Sequence, residues 1–179
     1  MPERLRATMN DGPGDTLGRQ PADFESLLGE LASHEVDFLV AGGLAVNLHG
    51  YVRSTQDLDI IPCPDASNMR RLADALTDLE VVAVGAKAER LVLDLSHPES
   101  LAVGNYFLET KFGALDLFNG HRPDIKRYRR LEAAAIEVAV GSHQIKVISK
   151  TDLIAMKREA GRPKDLQDIA ALTEVERNP

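Results

Sequence analysis

The sequence predicts an α/β (α+β) fold, a mixed β-sheet flanked by helices with further helices at the C-terminal end. Three patterns carry this expectation. Short aliphatic runs bounded by Gly or Pro alternate with stretches of helical period in the first half. Two strand-like runs then meet across Gly141-Ser142 as a hairpin, and everything after Ser149 has helical spacing. A chain of 179 residues suits one domain.

Taken in order, residues 1 to 20 carry Gly, Asp, Arg and Pro without an apolar period and are expected to be a mobile tail, leaving 21 to 179 as the domain. From Pro21, the residues Phe24, Leu27, Leu28 and Leu31 recur at helical spacing. Asp37 to Ala41 is a short buried-strand run ending at glycine, and Leu44 to His49 a short helix closed by Gly50. Asp57 to Ile61 is the next strand, stopped by Pro62 and Pro64. Asp65 caps a helix with Met69, Leu72, Ala73, Leu76 and Leu79 on one face. Strands are expected at 90–93, 106–108 and 114–118, then at 135–140 and 145–148 in the hairpin. Ser149 or Thr151 caps a helix carrying Leu153, Ile154 and Met156, and Pro163 opens the last one.

Composition narrows the function classes. The single cysteine, Cys63, excludes an internal disulfide, and no Cys and His group has zinc-ligand spacing. Apolar runs are too short to span a membrane and the first residues lack a secretory pattern, so a soluble cytoplasmic protein is expected. With no Trp, three Tyr and five Phe, stacking on single-stranded nucleic acid is a poor reading. The net charge of −7 opposes general nucleic-acid affinity, yet it is unevenly spread. Between His121 and Lys164 there are eleven Lys or Arg against five Asp or Glu, densest from Arg122 to Arg130. That stretch reads as a solvated basic loop, or as positive charge for an anionic ligand.

The chemistry lies in two glycines and three acids. In a strand, Asp57 and Asp59 share one face while Leu58 and Ile60 take the other. Two carboxylates on one face repel unless solvated or met by cations, and an all-oxygen set of this kind suits Mg2+. Asp116 repeats the pattern between Leu115 and Leu117. Any one of these acids alone reads as the solvent face of an edge strand; three of them behind a Gly-Gly turn read as a metal site. Gly42-Gly43 is at least a tight strand-to-helix turn, and a helix start without side chains also lets a phosphate approach.

With Gly42-Gly43, thirteen intervening residues, Asp57-Leu58-Asp59 and a later Asp116, the chain resembles the DNA polymerase β-like nucleotidyltransferase superfamily. The string from Gly42 through His49-Gly50, Arg53, Thr55 and Asp57-Leu58-Asp59-Ile60 is similar to AbiEii-like and small uncharacterised bacterial nucleotidyltransferases. So are Asp152 to Lys157 and Arg162-Pro163-Lys164-Asp165-Leu166-Gln167-Asp168-Ile169. The resemblance implies that a nucleoside monophosphate moves from an NTP to a hydroxyl acceptor. It implies two Mg2+ ions on Asp57, Asp59 and Asp116, and β- and γ-phosphates at Gly42 and Gly43. Arg53 and Lys157 would neutralise the triphosphate, with Lys164 and Asp165 at the nucleotide or behind Lys157. It departs from the common pattern in having Gly43 where many members carry Ser. The acceptors it implies are a tRNA end, a partner protein in a toxin–antitoxin pair, or a small molecule such as an antibiotic. A catalytically inactive binding or antitoxin module of the same fold is the rival expectation. His49 is expected to be structural, while His121 and Tyr128 could help to dock an acceptor.

Overall fold

The computed structural model describes residues 19–175. The expected tail therefore lies, but for Arg19 and Gln20, outside the described residues. Six helices and eight strands follow: α1 Phe24–Ser33, β1 Phe38–Val40, α2 Gly42–Leu48, β2 Asp57–Pro62, α3 Ala66–Asp78, β3 Val82–Val84, β4 Arg90–Leu91, β5 Asn105–Thr110, β6 Gly113–Phe118, α4 Ile125–Ala134, β7 Ile136–Val140, β8 His143–Val147, α5 Lys150–Ala160 and α6 Pro163–Val175. The strands form one mixed sheet in the order β4-β3-β5-β6-β2-β1-β8-β7. Two pairings, β1 with β8 and β2 with β6, are parallel, and the others antiparallel. Among the described residues no helix is long and apolar enough to cross a membrane.

The core is laid down by the periodicities read from the sequence. Leu27, Leu28 and Leu31 of α1 are fully buried, as are Leu72 and Leu76 of α3 and Leu58, Ile60, Leu115 and Leu117 of the two central strands. Each such side chain contributes about 1.5–3 kcal/mol on leaving water. Asp65 accepts from the Ser67 and Asn68 N–H groups to start α3. Asp23, which was not singled out, accepts from the Ser26 N–H to start α1. His49 is structural as expected: its Nε2 donates to the Ile148 carbonyl at 2.8 Å, tying the end of α2 to the end of β8.

Two elements depart from expectation. The basic stretch is a helix from Ile125 onward, capped by Asp124 and seated by the buried Tyr128 and Leu131. Its charges mask an apolar face only two residues wide, and Tyr128 is packed rather than presented to an acceptor. The three-residue β3 has too few positions to show a period.

Candidate active site

The site begins with strand register. Asp59 lies directly opposite Asp116 in the parallel β2–β6 pair, and Asp57 opposite Ala114. Alternation sends Leu58 and Ile60 into the core on one side and Asp57, Asp59 and Asp116 to the other. A carboxylate oxygen from each of the three lies within 4.8 Å of the others. Asp59 and Asp116 are buried, at 7% and 3% exposure.

Concentrating acid in a dry place has an electrostatic consequence. Burial, then the charges of Asp57 and Asp116, push Asp59 well above the usual carboxylate range, against the Gly43 N–H and Lys157. Burial pushes Asp116 up to about 6, the rise moderated by Arg19. A set of converging oxygens that repel one another fits a hard divalent cation such as Mg2+.

The glycine turn is built against this cluster. Gly42 has a φ of 58°, and a Cβ there would overlap the Asp59 carboxylate. A Cβ at Gly43 would overlap Thr55 Oγ1. Only a backbone without side chains fits this close to Asp59 and Thr55. The Gly43 N–H donates to Asp59 Oδ2 at 3.1 Å, so the turn orients a carboxylate of the trio.

One flank of the trio is cationic. A cleft of 310 Å³ is lined by Gly43, Asp57, Asp59 and Asp116 together with Arg53, Lys157, Arg162 and Lys164. Arg53 belongs to the segment between α2 and β2, and its backbone exchanges two hydrogen bonds with the Asn47 side chain. Lys157 is buried on α5. The Gly161 turn at φ 63° ends α5 and delivers Arg162 beside it. Behind this wall lie two fully buried acids of α6. Asp168 accepts from Arg53 Nε at 2.7 Å, Arg53 Nη2 at 2.9 Å and Lys157 Nζ at 2.7 Å. Asp165 accepts from Lys157 Nζ at 3.2 Å and Arg162 Nε at 2.7 Å. Burial works to raise both acids, but these bonds outweigh it and hold both below the usual range.

The opposite flank carries no charged lining residue. In the sheet, β5 lies beyond β6, away from β1 and β8. Asn105 pairs with Phe118 and Phe107 with Asp116, so all four share the face of the trio. They line the same cleft, the two rings meeting edge to face at 6.3 Å.

Arg19 completes the surroundings of Asp116. Its Nη2 donates to Asp116 Oδ1 at 2.6 Å and to the Leu108 carbonyl at 2.7 Å. The Arg19 side chain is 12% exposed, and its Nε is buried without a partner among the described residues.

Of the residues singled out in the sequence, Asp57, Asp59, Asp116, Gly43, Arg53, Lys157 and Lys164 line one cleft, with Gly42 and Asp165 directly behind it. The basic run from Arg122 to Arg130 lines other surface hollows and none of this cleft. Arg19, Asn105, Phe107 and Phe118 carry no site signal in the sequence, and Arg162 and Asp168 stand in its C-terminal motif without a role. For Asp168 a signal existed, since it falls on the same helical face as Asp165 and the buried Leu172. For Arg19 there was none.

No protein-family model matches the chain, and no curated protein matches its sequence. Solved structures do share its fold. The lincosamide antibiotic adenylyltransferase LnuA, with lincomycin bound, superposes with a TM-score of 0.57 at 17% identity, over 86% of this chain and 98% of that one. The antibiotic-resistance factor ANT(2'')-Ia gives 0.54 at 12% identity, over 85% and 81%. An antigenic nucleotidyltransferase-like protein from Paracoccidioides brasiliensis gives 0.52 at 17% identity, over 88% and 78%. The eight-stranded mixed sheet and its helices thus form the fold seen in nucleotidyltransferases.

Proposed function

We propose that this protein is a Mg2+-dependent nucleotidyltransferase that moves a nucleoside monophosphate from an NTP to a hydroxyl acceptor and releases pyrophosphate. The observation that carries the reading is the three-carboxylate cluster in a cleft that four cations also line, all of them away from β5. Asp57, Asp59 and Asp116 would hold the metal, which when bound supplies charge stabilisation to the attacking and leaving oxygens. Arg53, Lys157, Arg162 and Lys164 face the β- and γ-phosphates, and the Gly42-Gly43 turn brings backbone rather than side chain to them.

Polarity of the cleft orders the reaction. Displacement at phosphorus runs in line, so the acceptor enters opposite the departing pyrophosphate. With pyrophosphate held at the cations, the acceptor hydroxyl arrives from the β5 flank, across Asn105, Phe107 and Phe118. The new acceptor O–P bond forms as the bond from the α-phosphorus to its bridging oxygen breaks. The acceptor's proton passes to Asp116, the carboxylate on that side. An uncharged lining with two rings favours a small hydroxyl compound over a tRNA end, in keeping with the antibiotic-modifying enzymes that share the fold. AbiEii-like membership and a toxin–antitoxin role rest on the sequence resemblance.

A second reading, an inactive binding module, draws on Arg19, which already provides Asp116 with a cation. One assay decides between them. Each α-labelled NTP is incubated with Mg2+ and either small hydroxyl compounds, total tRNA or lysate protein, with the Asp57→Asn/Asp59→Asn variant as blank. Label in the small-molecule fraction, abolished in the variant, is expected. Label in tRNA or protein instead would reassign the acceptor, and no label in any fraction would favour the module.

A further inference from the structure

We infer that Asp168 is a positioning residue for polyphosphate: buried behind the cleft wall, it fixes Arg53 and Lys157 as one rigid clamp for the phosphates that leave as pyrophosphate. The inference rests on the nucleotidyl-transfer reading.

Asp168 does not line the cleft, and its side chain is 2% exposed. Its two oxygens accept a fork of two bonds from Arg53 and a third from Lys157. Charge-assisted forks of this kind fix the plane of a guanidinium as well as its position. The three residues come from three elements: the segment after α2, the helix α5 and the helix α6. One carboxylate therefore sets the separation of two cations that no stretch of local backbone relates. Asp165, one turn earlier on α6, holds Lys157 from a second side and Arg162 from the other. Arg53 and Lys157 would otherwise repel each other and swing apart on long flexible stems, an ordering cost that falls on ligand binding.

A different role for Asp168 makes the opposite prediction. If it acted only as a background charge, it would oppose a polyanion, and neutralising it would tighten binding. As a positioning residue, neutralising it weakens binding. The sign of the effect separates the two.

The experiment is calorimetric titration of the full chain with Mg2+–pyrophosphate and with MgATP. Asp168→Asn is expected to bind both about tenfold more weakly, roughly the effect of one charge-assisted bond. In an Arg53→Ala background, adding Asp168→Asn is expected to cost clearly less than about tenfold, because only Lys157 is then left for Asp168 to position. Unchanged or tighter binding by Asp168→Asn, or full additivity in the double variant, overturns the inference. Should Asp168→Asn fail to fold, Asp168→Glu keeps the charge and shifts the fork. Wild-type affinity in that variant overturns the inference, and weakened affinity with unchanged circular dichroism supports it. Wild-type protein that binds neither ligand overturns the nucleotidyl-transfer reading itself, and this inference with it.

Discussion

Arg19 and Asp116 are 97 positions apart in the chain and meet at 2.6 Å, with the guanidinium tied at the same time to the Leu108 carbonyl. A fixed cation thus shares a carboxylate with the place proposed for a divalent ion. Two cations on one carboxylate repel across a short, poorly hydrated distance. Arg19→Ala is expected to bind Mn2+ more tightly at pH 8, by roughly the tenfold that about 1.4 kcal/mol supplies. Electron paramagnetic resonance titration of free Mn2+ reads this directly. A weaker site would show instead that Arg19 orients Asp116 for the ion.

The buried acids give a pH dependence whose sign is fixed. Asp116, at about 6, and Asp59, well above its usual range, hold their protons in the folded chain at pH values where the unfolded chain has released them. Metal-free stability therefore falls as pH rises from about 4 through about 6. At pH 7.5 without metal, Asp59→Asn is expected to melt a few degrees above wild type. The Asn side chain still accepts from Gly43 and sheds a confined charge. The advantage should shrink at pH 4.5 and reverse on adding Mg2+. Differential scanning fluorimetry at the two pH values, with and without EDTA, checks it.

Gly43 and Thr55 form a steric pair. A Cβ on Gly43 lands on Thr55 Oγ1, so Gly43→Ala is expected to cost about 1–3 kcal/mol as local overpacking. Adding Thr55→Ala should recover most of the loss, measured by urea denaturation. Gly42→Ala has no such rescue. Its added Cβ strikes Asp59 at a positive φ, so Mn2+ affinity should fall together with stability.

The basic helix is separable from the cleft. Arg130 pairs with Asp152 of α5 at 2.7 Å and Arg129 with Glu132 of its own helix, both at the surface. Replacing Arg127, Arg129 and Arg130 with Ala is expected to lower stability by no more than about 1 kcal/mol. MgATP affinity should stay at the wild-type value. A drop in nucleotide affinity would bring that helix into the site.

What could be read in advance follows from periodicity. Asp57-Leu58-Asp59 and Leu115-Asp116-Leu117 announce their faces because a strand alternates and its apolar partners are fully buried. The Gly-Gly turn, the Asp65 cap and the Pro163 helix start are local signals and fell where expected. The long-range pairings around the site were not legible. Arg19 reaches Asp116 from a segment with no period, and Asp168 meets Arg53 across 115 positions. The Phe107 and Phe118 rings look like ordinary strand residues until register sets them beside Asp116. The helix that begins at Ile125, within the stretch read as a loop, has a similar cause. Charge count described its surface, while two buried residues, Tyr128 and Leu131, decided its conformation.

The pairing of Asp59 with Asp116 also makes the cluster a record of how the chain folded. β2 and β6 run parallel and are separated by a helix and three other strands. Their alignment is a long-range event without a tight turn to dictate it. A slip of one residue would send Asp116 toward the apolar layer and bring Leu115 or Leu117 to the cleft. A chain misaligned by one residue does not gather the three carboxylates. During refolding, the proposed divalent-ion site is therefore expected to appear only once the central strands have left the one-residue misalignment behind.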